Sequence, residues 1–183
     1  MTQRQGAGLA KIIRSQIGEP SIGCEVGVWE GMTSAPLLRI FPHLRLLMVD
    51  RYQAYDPGGR GPVSQKAKGQ EAVHGVMLRA LEGTAFAVDR RIMVVADSVN
   101  AANLIQNESL DFVYIDAGHD HESVRKDLDC WYPKVRWGGV FSGHDYRGTF
   151  HEHKGVKKAV DDFMQRLGRK VRVGREENWW IKK

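Results

Sequence analysis

Two hydrophobic periods alternate along this chain. Short runs at 21–28, 44–49, 91–96, 110–115 and 138–142 are almost wholly apolar, which predicts strands covered on both faces. Between them the spacing changes to that of helices. Val156, Ala159, Val160, Phe163, Met164 and Leu167 fall at i, i+3, i+4, i+7, i+8 and i+11, one continuous helical face. Val124, Leu128 and Trp131 repeat the pattern in a segment starting near Asp120 and stopping before Pro133. Leu9, Ile12 and Ile13 predict a short N-terminal helix over the sheet. Strands alternating with helices imply a parallel sheet closed by right-handed crossovers. After Leu167 the pattern shifts, and 170–173 with 178–181 read as a closing antiparallel hairpin. The segment 51–65, rich in Gly and Pro, has little periodicity and reads as a loop at the carboxyl edge of the second strand, where open α/β sheets bind ligands.

Composition narrows this picture. At 183 residues, 1–183 is expected to form a single domain, and 42% hydrophobic with 27% charged residues is the balance of a globular chain. Two cysteines, Cys24 and Cys130, exclude a disulfide framework and a four-thiolate zinc centre. No apolar run approaches the ~20 residues of a membrane span, and residues 1–16 lack a signal-peptide core, so the expected compartment is the cytoplasm. The net charge of +5 is carried by the last thirty residues, where ten Lys and Arg face four Asp and Glu. Aromatic residues are not interleaved with those cations, as they would be in an RNA-binding stripe, so nucleic acid is not an expected partner.

The chemistry concentrates at strand ends. Glu25-Val-Gly27-Val-Trp-Glu-Gly31 follows the first strand and opens the first crossover helix. Gly27 permits a tight turn, and Gly31 permits close approach of backbone to a ligand. A pyrophosphate-binding turn would read G-x-G-x-x-G. A carboxylate at Glu25 would repel pyrophosphate and suits the cationic α-amino group of an amino-acid-like ligand. Asp50 closes the second strand, where an acid can accept from both ribose hydroxyls of a nucleoside. Asp97 and Ser98 end the third strand, placed to read the edge of an adenine. Asp116 ends the fourth. Singly, such acids are more often caps or turn residues; four in succession at strand ends is a much rarer coincidence.

These motifs, with Asp111-Phe-Val-Tyr-Ile-Asp116-Ala-Gly-His119-Asp, Trp131-Tyr-Pro, Trp137-Gly-Gly, Gly143-His144-Asp145-Tyr146 and Gly155-Val-Lys-Lys-Ala-Val-Asp161, resemble the class I S-adenosylmethionine-dependent methyltransferases. The resemblance is to the small-molecule branch that includes the macrolide-sugar and aminocoumarin O-methyltransferases, and it extends over about residues 20–181. It implies a Rossmann-like doubly wound seven-stranded sheet, mostly parallel, in the order 3-2-1-4-5-7-6 with a C-terminal antiparallel hairpin. It implies S-adenosylmethionine as cofactor, held by Glu25, Gly27, Gly31, Asp50, Asp97, Ser98 and Asp116. It further implies His119 as general base beside Asp116, and a divalent metal, such as Mg²⁺ or Mn²⁺, held by Asp116 and by the pair at the end of strand five. That pair is His144-Asp145 where the family pattern has two acids. An imidazole shifts preference from Mg²⁺ toward Mn²⁺, Fe²⁺ or Zn²⁺, and absence of a metal stays open at this point.

The expected reaction is methyl transfer to a hydroxyl of a small molecule, a sugar or glycosylated metabolite being one class. Methylation of RNA or another anionic polymer and a non-catalytic adenosyl-ligand module are the alternatives. The first rests only on the basic C-terminal segment. A homo-oligomer, in which a neighbouring subunit covers the open site, is compatible with so small a chain.

Overall fold

A computed structural model describes residues 3–53, 69–148 and 154–183. Positions 54–65 of the loop read above, together with His151 and His153, lie outside the described residues. In chain order the elements are α1 (Gln3–Ile17), β1 (Ile22–Val26), α2 (Ser34–Ile40), β2 (Arg45–Asp50), α3 (Gln70–Gly83), β3 (Arg91–Val95), α4 (Ser98–Asn103), β4 (Leu110–Ile115), α5 (His121–Trp131), β5 (Val135–Gly143), α6 (Lys154–Leu167), β6 (Arg172–Val173) and β7 (Trp179–Lys182). The strands form one sheet in the order β3-β2-β1-β4-β5-β7-β6. The first five are parallel, and β7 runs antiparallel to both β5 and β6. Both the expected order and the closing hairpin are observed.

The two-residue alternation of the strands sends side chains into two separate cores. Cys24, Val26, Leu47, Val49, Val113, Ile115 and Phe141 pack beneath α4, α5 and α6. Leu46, Met48, Phe112, Tyr114 and Val140 pack beneath α1, α2 and α3. Phe141 anchors the first core, with Tyr132 and Trp179 meeting its ring edge-on at 5.4 and 5.6 Å. The α6 stripe read from sequence is the buried face: Val156, Ala159, Val160, Phe163 and Met164 are all inside.

Some bounds differ from the sequence reading. β5 is longer than 138–142, because the segment before Gly139 still pairs at Leu110↔Val135 across a register shift. The N-terminal helix is fifteen residues long and no short element, since it packs through small residues as well as its apolar ones. Among the described residues no helix is long and apolar enough to cross a membrane.

Strand register sets the site. Val26 pairs with Val49 and Ile115, Asp50 with Val95, and Ile115 with Gly143. The residues that follow these partners therefore emerge at one level, along the carboxyl edge of the sheet. Strand order reverses between β1 and β4, the crevice where open α/β sheets bind ligands.

Candidate active site

The turn after β1 is held from three sides. Gly27 N–H donates to the Val49 carbonyl at 2.8 Å, and Asp116 N–H donates to Val26 at 2.7 Å. Gly27 has φ +91°, and a Cβ there would collide with the Asp116 carbonyl group. Only glycine meets both conditions. The carboxylate of Asp50 accepts from Val28 N and Trp29 N through Oδ2, at 3.0 and 2.9 Å, and from Tyr52 N through Oδ1 at 2.9 Å. The Tyr52 hydroxyl returns to donate to the Trp29 carbonyl at 2.9 Å. Trp29 and Tyr52 both sit at positive φ, 52° and 42°, so this clamp holds two non-glycine residues in a sparsely populated conformation.

Other positions read from sequence take distinct places. Glu25 is 1% exposed and accepts the Ser34 hydroxyl, so it lies beneath the loop and braces the start of α2. Burial pushes its pKa well above the usual carboxylate range, the Ser34 hydrogen bond opposing only in part and Asp116 and Asp50 adding to the rise. Gly31 has φ +74°, and its open side faces Ala80 of α3, 3.2 Å from where a Cβ would stand. Asp97 caps α4, accepting from Val99 N at 3.0 Å. The Ser98 hydroxyl is turned to Asp127 and also accepts the Trp131 indole N–H at 2.8 Å, leaving its backbone at the strand edge.

The ends of β4 and β5 bring together the four residues singled out there. His119 Nε2 lies 2.9 Å from Asp145 Oδ2, and His144 Nδ1 lies 3.1 Å from Asp145 Oδ1 and 3.9 Å from Asp116 Oδ1. Asp145 is a non-glycine residue at φ 56°, which points its carboxylate between the two imidazoles. Asp116 and Asp145 are 7% and 5% exposed. Burial pushes Asp116 up to about 6, with Asp145 adding to the rise and the His144 and His119 charges opposing. Burial also acts on Asp145, but hydrogen bonds from His119 and His144 outweigh it and hold that carboxyl far below the usual range. For His144 burial is overcome by the hydrogen bond to Asp145 and the charges of Asp116 and Asp145, and its pKa rises to about 9. His119 is raised as well, burial again losing to Asp145.

The donor set fits a divalent cation. One ligand atom from each of Asp116, His144 and Asp145 lies within 4.8 Å of the others. Asp116 Oδ1 is buried without a hydrogen-bond partner among the described residues. The backbone at Glu176 adds to the rise of the His144 pKa, after Asp145 and Asp116. Beside the cluster is a cavity of about 10 Å³, bounded by Gly118, Val124, Val156 and Trp179, with room for one water-sized occupant.

Four contributors escaped the sequence reading. Gln5 donates to Asp116 Oδ2 at 2.6 Å, Ser34 to Glu25, and Tyr52 closes the Asp50 clamp. Glu176, from the turn before β7, acts through its backbone to raise the His144 pKa. Tyr52 lies two residues after Asp50 and was the most readable; for Gln5 no local signal exists, since its partner is 111 residues away.

A mostly parallel sheet whose strand order reverses between β1 and β4 defines a Rossmann-like domain, with acids at four strand ends and an imidazole–carboxylate cluster at the ends of β4 and β5. The chain belongs to the methyltransferase-domain family, whose pattern matches residues 24–146. No curated protein matches it. Among solved structures it is similar to the O-methyltransferase TomG of Streptomyces achromogenes, involved in tomaymycin synthesis and solved with S-adenosylmethionine, at 16% identity and a TM-score of 0.66, covering 100% of this chain and 81% of that one. The methyltransferase PaMTH1 of Podospora anserina, bound to S-adenosylhomocysteine, gives 14% and 0.68 over 100% of this chain and 79% of that one. CalS11, a TDP-rhamnose 3'-O-methyltransferase of calicheamicin biosynthesis, gives 17% and 0.62 over 98% and 79%. At these identities the likeness is one of fold.

Proposed function

We propose that the protein is an S-adenosylmethionine-dependent methyltransferase acting on a hydroxyl of a small molecule, with a sugar or glycosylated metabolite as the acceptor class. The observation that carries the reading is the His119–Asp145–His144–Asp116 cluster, set one strand from the clamped Gly27 turn. S-adenosylmethionine supplies an electrophilic methyl group on a sulfonium. The Gly27 turn, Asp50 and the start of α4 line the crevice in which a nucleoside and its amino-acid tail would lie. Asp50 accepts from the backbone N–H groups of Val28, Trp29 and Tyr52 and keeps capacity for a ribose hydroxyl.

In an in-line displacement the enzyme must align the acceptor oxygen and remove its proton. His119 is the residue placed to receive that proton. Asp145, fixed on the opposite side of the imidazole, stabilises the imidazolium that results. Asp116, His144 and Asp145 are the residues that would hold a divalent metal. Such a cation supplies Lewis acidity, lowering the pKa of an acceptor hydroxyl.

Calorimetric titration with S-adenosylhomocysteine, with and without Mn²⁺ or Mg²⁺, tests the assignment. Micromolar binding with a metal-dependent heat is expected; no binding in either condition would remove the cofactor from the crevice. His119→Ala is expected to keep S-adenosylhomocysteine affinity and to lose ~10²–10⁴ in turnover, the range for a positioned general base. A variant with normal turnover would take the base role from His119.

A further inference from the structure

We propose that Gln5 is a positioning residue for Asp116, fixing which of its two oxygens faces the ligand. The inference rests on the reading of Asp116 as a metal-holding carboxylate given above. Gln5 sits in the first turns of α1 and is 3% exposed. Its amide nitrogen donates to Asp116 Oδ2 at 2.6 Å and to the Tyr114 hydroxyl at 2.9 Å. The Tyr114 hydroxyl in turn donates to Asn178 Oδ1 at 2.8 Å. That chain of donors has one direction, so Asp116 Oδ2 is held as an acceptor facing the protein. Oδ1 is left buried without a hydrogen-bond partner among the described residues, on the side of His144 and Asp145.

The packing of α1 is built to deliver this contact. Gly6 and Gly8 follow Gln5 closely, although glycine is, after proline, the poorest residue for a helix interior. A Cβ on Gly6 would stand 2.9 Å from the Thr33 carbonyl oxygen and 3.0 Å from the Pro36 ring. A Cβ on Gly8 would stand 2.9 Å from Glu176 Oε2 and 3.4 Å from Asn178 Nδ2. The two glycines let the helix settle on the start of α2 on one side and on the turn before β7 on the other. The same turn carries Asn178, which accepts from the Tyr114 hydroxyl. The N-terminal helix and the C-terminal hairpin thus brace the two sides of one site, joined through Tyr114 and Asn178. An outer partner that orients a ligating carboxylate typically changes metal affinity by 10–100-fold when removed.

The test is Mn²⁺ calorimetry on the S-adenosylhomocysteine-saturated full chain, comparing the parent with Gln5→Leu and Gln5→Glu. Leu removes both donated hydrogen bonds at similar volume. Glu keeps the shape but removes the donated hydrogen bonds and presents a carboxylate to Asp116. Both variants are expected to lose about 10–100-fold in Mn²⁺ affinity, to keep the S-adenosylhomocysteine affinity of the parent, and to melt cooperatively. Parent-like Mn²⁺ affinity in either variant overturns the assignment. Parallel loss of metal and S-adenosylhomocysteine binding, with a lowered melting temperature, reduces Gln5 to a packing residue and overturns it too. A parent that binds neither Mn²⁺ nor Mg²⁺ removes the metal reading of Asp116 and the inference with it, an outcome distinct from the other two.

Discussion

Asp50 accepts three backbone N–H groups at the end of β2, from Val28, Trp29 and Tyr52. Hydrogen bonds to a charged group each contribute ~1.5–3 kcal/mol net, so Asp50→Ala acts on both the turn and the ligand. The variant is expected to weaken S-adenosylhomocysteine binding by ~1–3 kcal/mol and to lower stability in urea melts. Asn, which keeps one acceptor oxygen, should recover part of the stability. An Ala variant with parent affinity would take Asp50 out of the site. Asp50, Asp116, His119, His144 and Asp145 were readable because acids and imidazoles directly after apolar runs are conspicuous. Gln5 was not, because a polar residue in a polar N-terminal stretch acquires meaning only from what the fold sets against it.

Between elements, closeness decides more than composition. Gly27 joins β1 to the site at φ +91° while touching the backbone after β4. Gly18 ends α1 at φ +77°, with nothing within 4 Å of where a Cβ would stand. Ala at Gly18 should therefore cost only the left-handed strain, ~1–2 kcal/mol. Ala at Gly27 adds displacement of Asp116 and is expected to cost clearly more and to abolish S-adenosylhomocysteine binding. Paired urea melts and calorimetry measure both effects, and equal costs would contradict the close approach. α4 illustrates the complementary case. Its six residues have no helical stripe to read, yet Asp97 caps it and Trp131 and Asp127 hold Ser98 at its first turn. α5 and α6, with stripes buried on the sheet, were legible from spacing alone.

At the scale of the whole molecule, the pH dependence of folding carries a signature of Asp127. Burial between α4 and α5 pushes its pKa up to about 6; the Ser98 hydrogen bond opposes this, and Asp97 and Asp120 add to it. The unfolded chain releases that proton near 3.8. Between these values the folded state binds more protons, so stability falls as pH rises through the window and the full cost is present above about 6. Asp127→Asn is expected to be ~1–3 kcal/mol more stable than the parent at pH 7.5, the gap closing as pH falls from about 6 toward 3.8. Urea melts at both pH values check it, and a gap independent of pH would refute the assignment. The sequence by itself determined the alternation of strands and helices, the hairpin at the end and the strand ends where chemistry collects, because periodicity and strand-end acids are local properties. The resemblance carried by the motifs added the strand order. Tertiary structure alone decided that Glu25 lies beneath the loop, that Asp50 clamps it, and that α1 and the final hairpin brace opposite sides of the His/Asp cluster. Those facts depend on burial and on contacts between elements, from about twenty residues apart at the Asp50 clamp to 111 between Gln5 and Asp116, which no local pattern encodes.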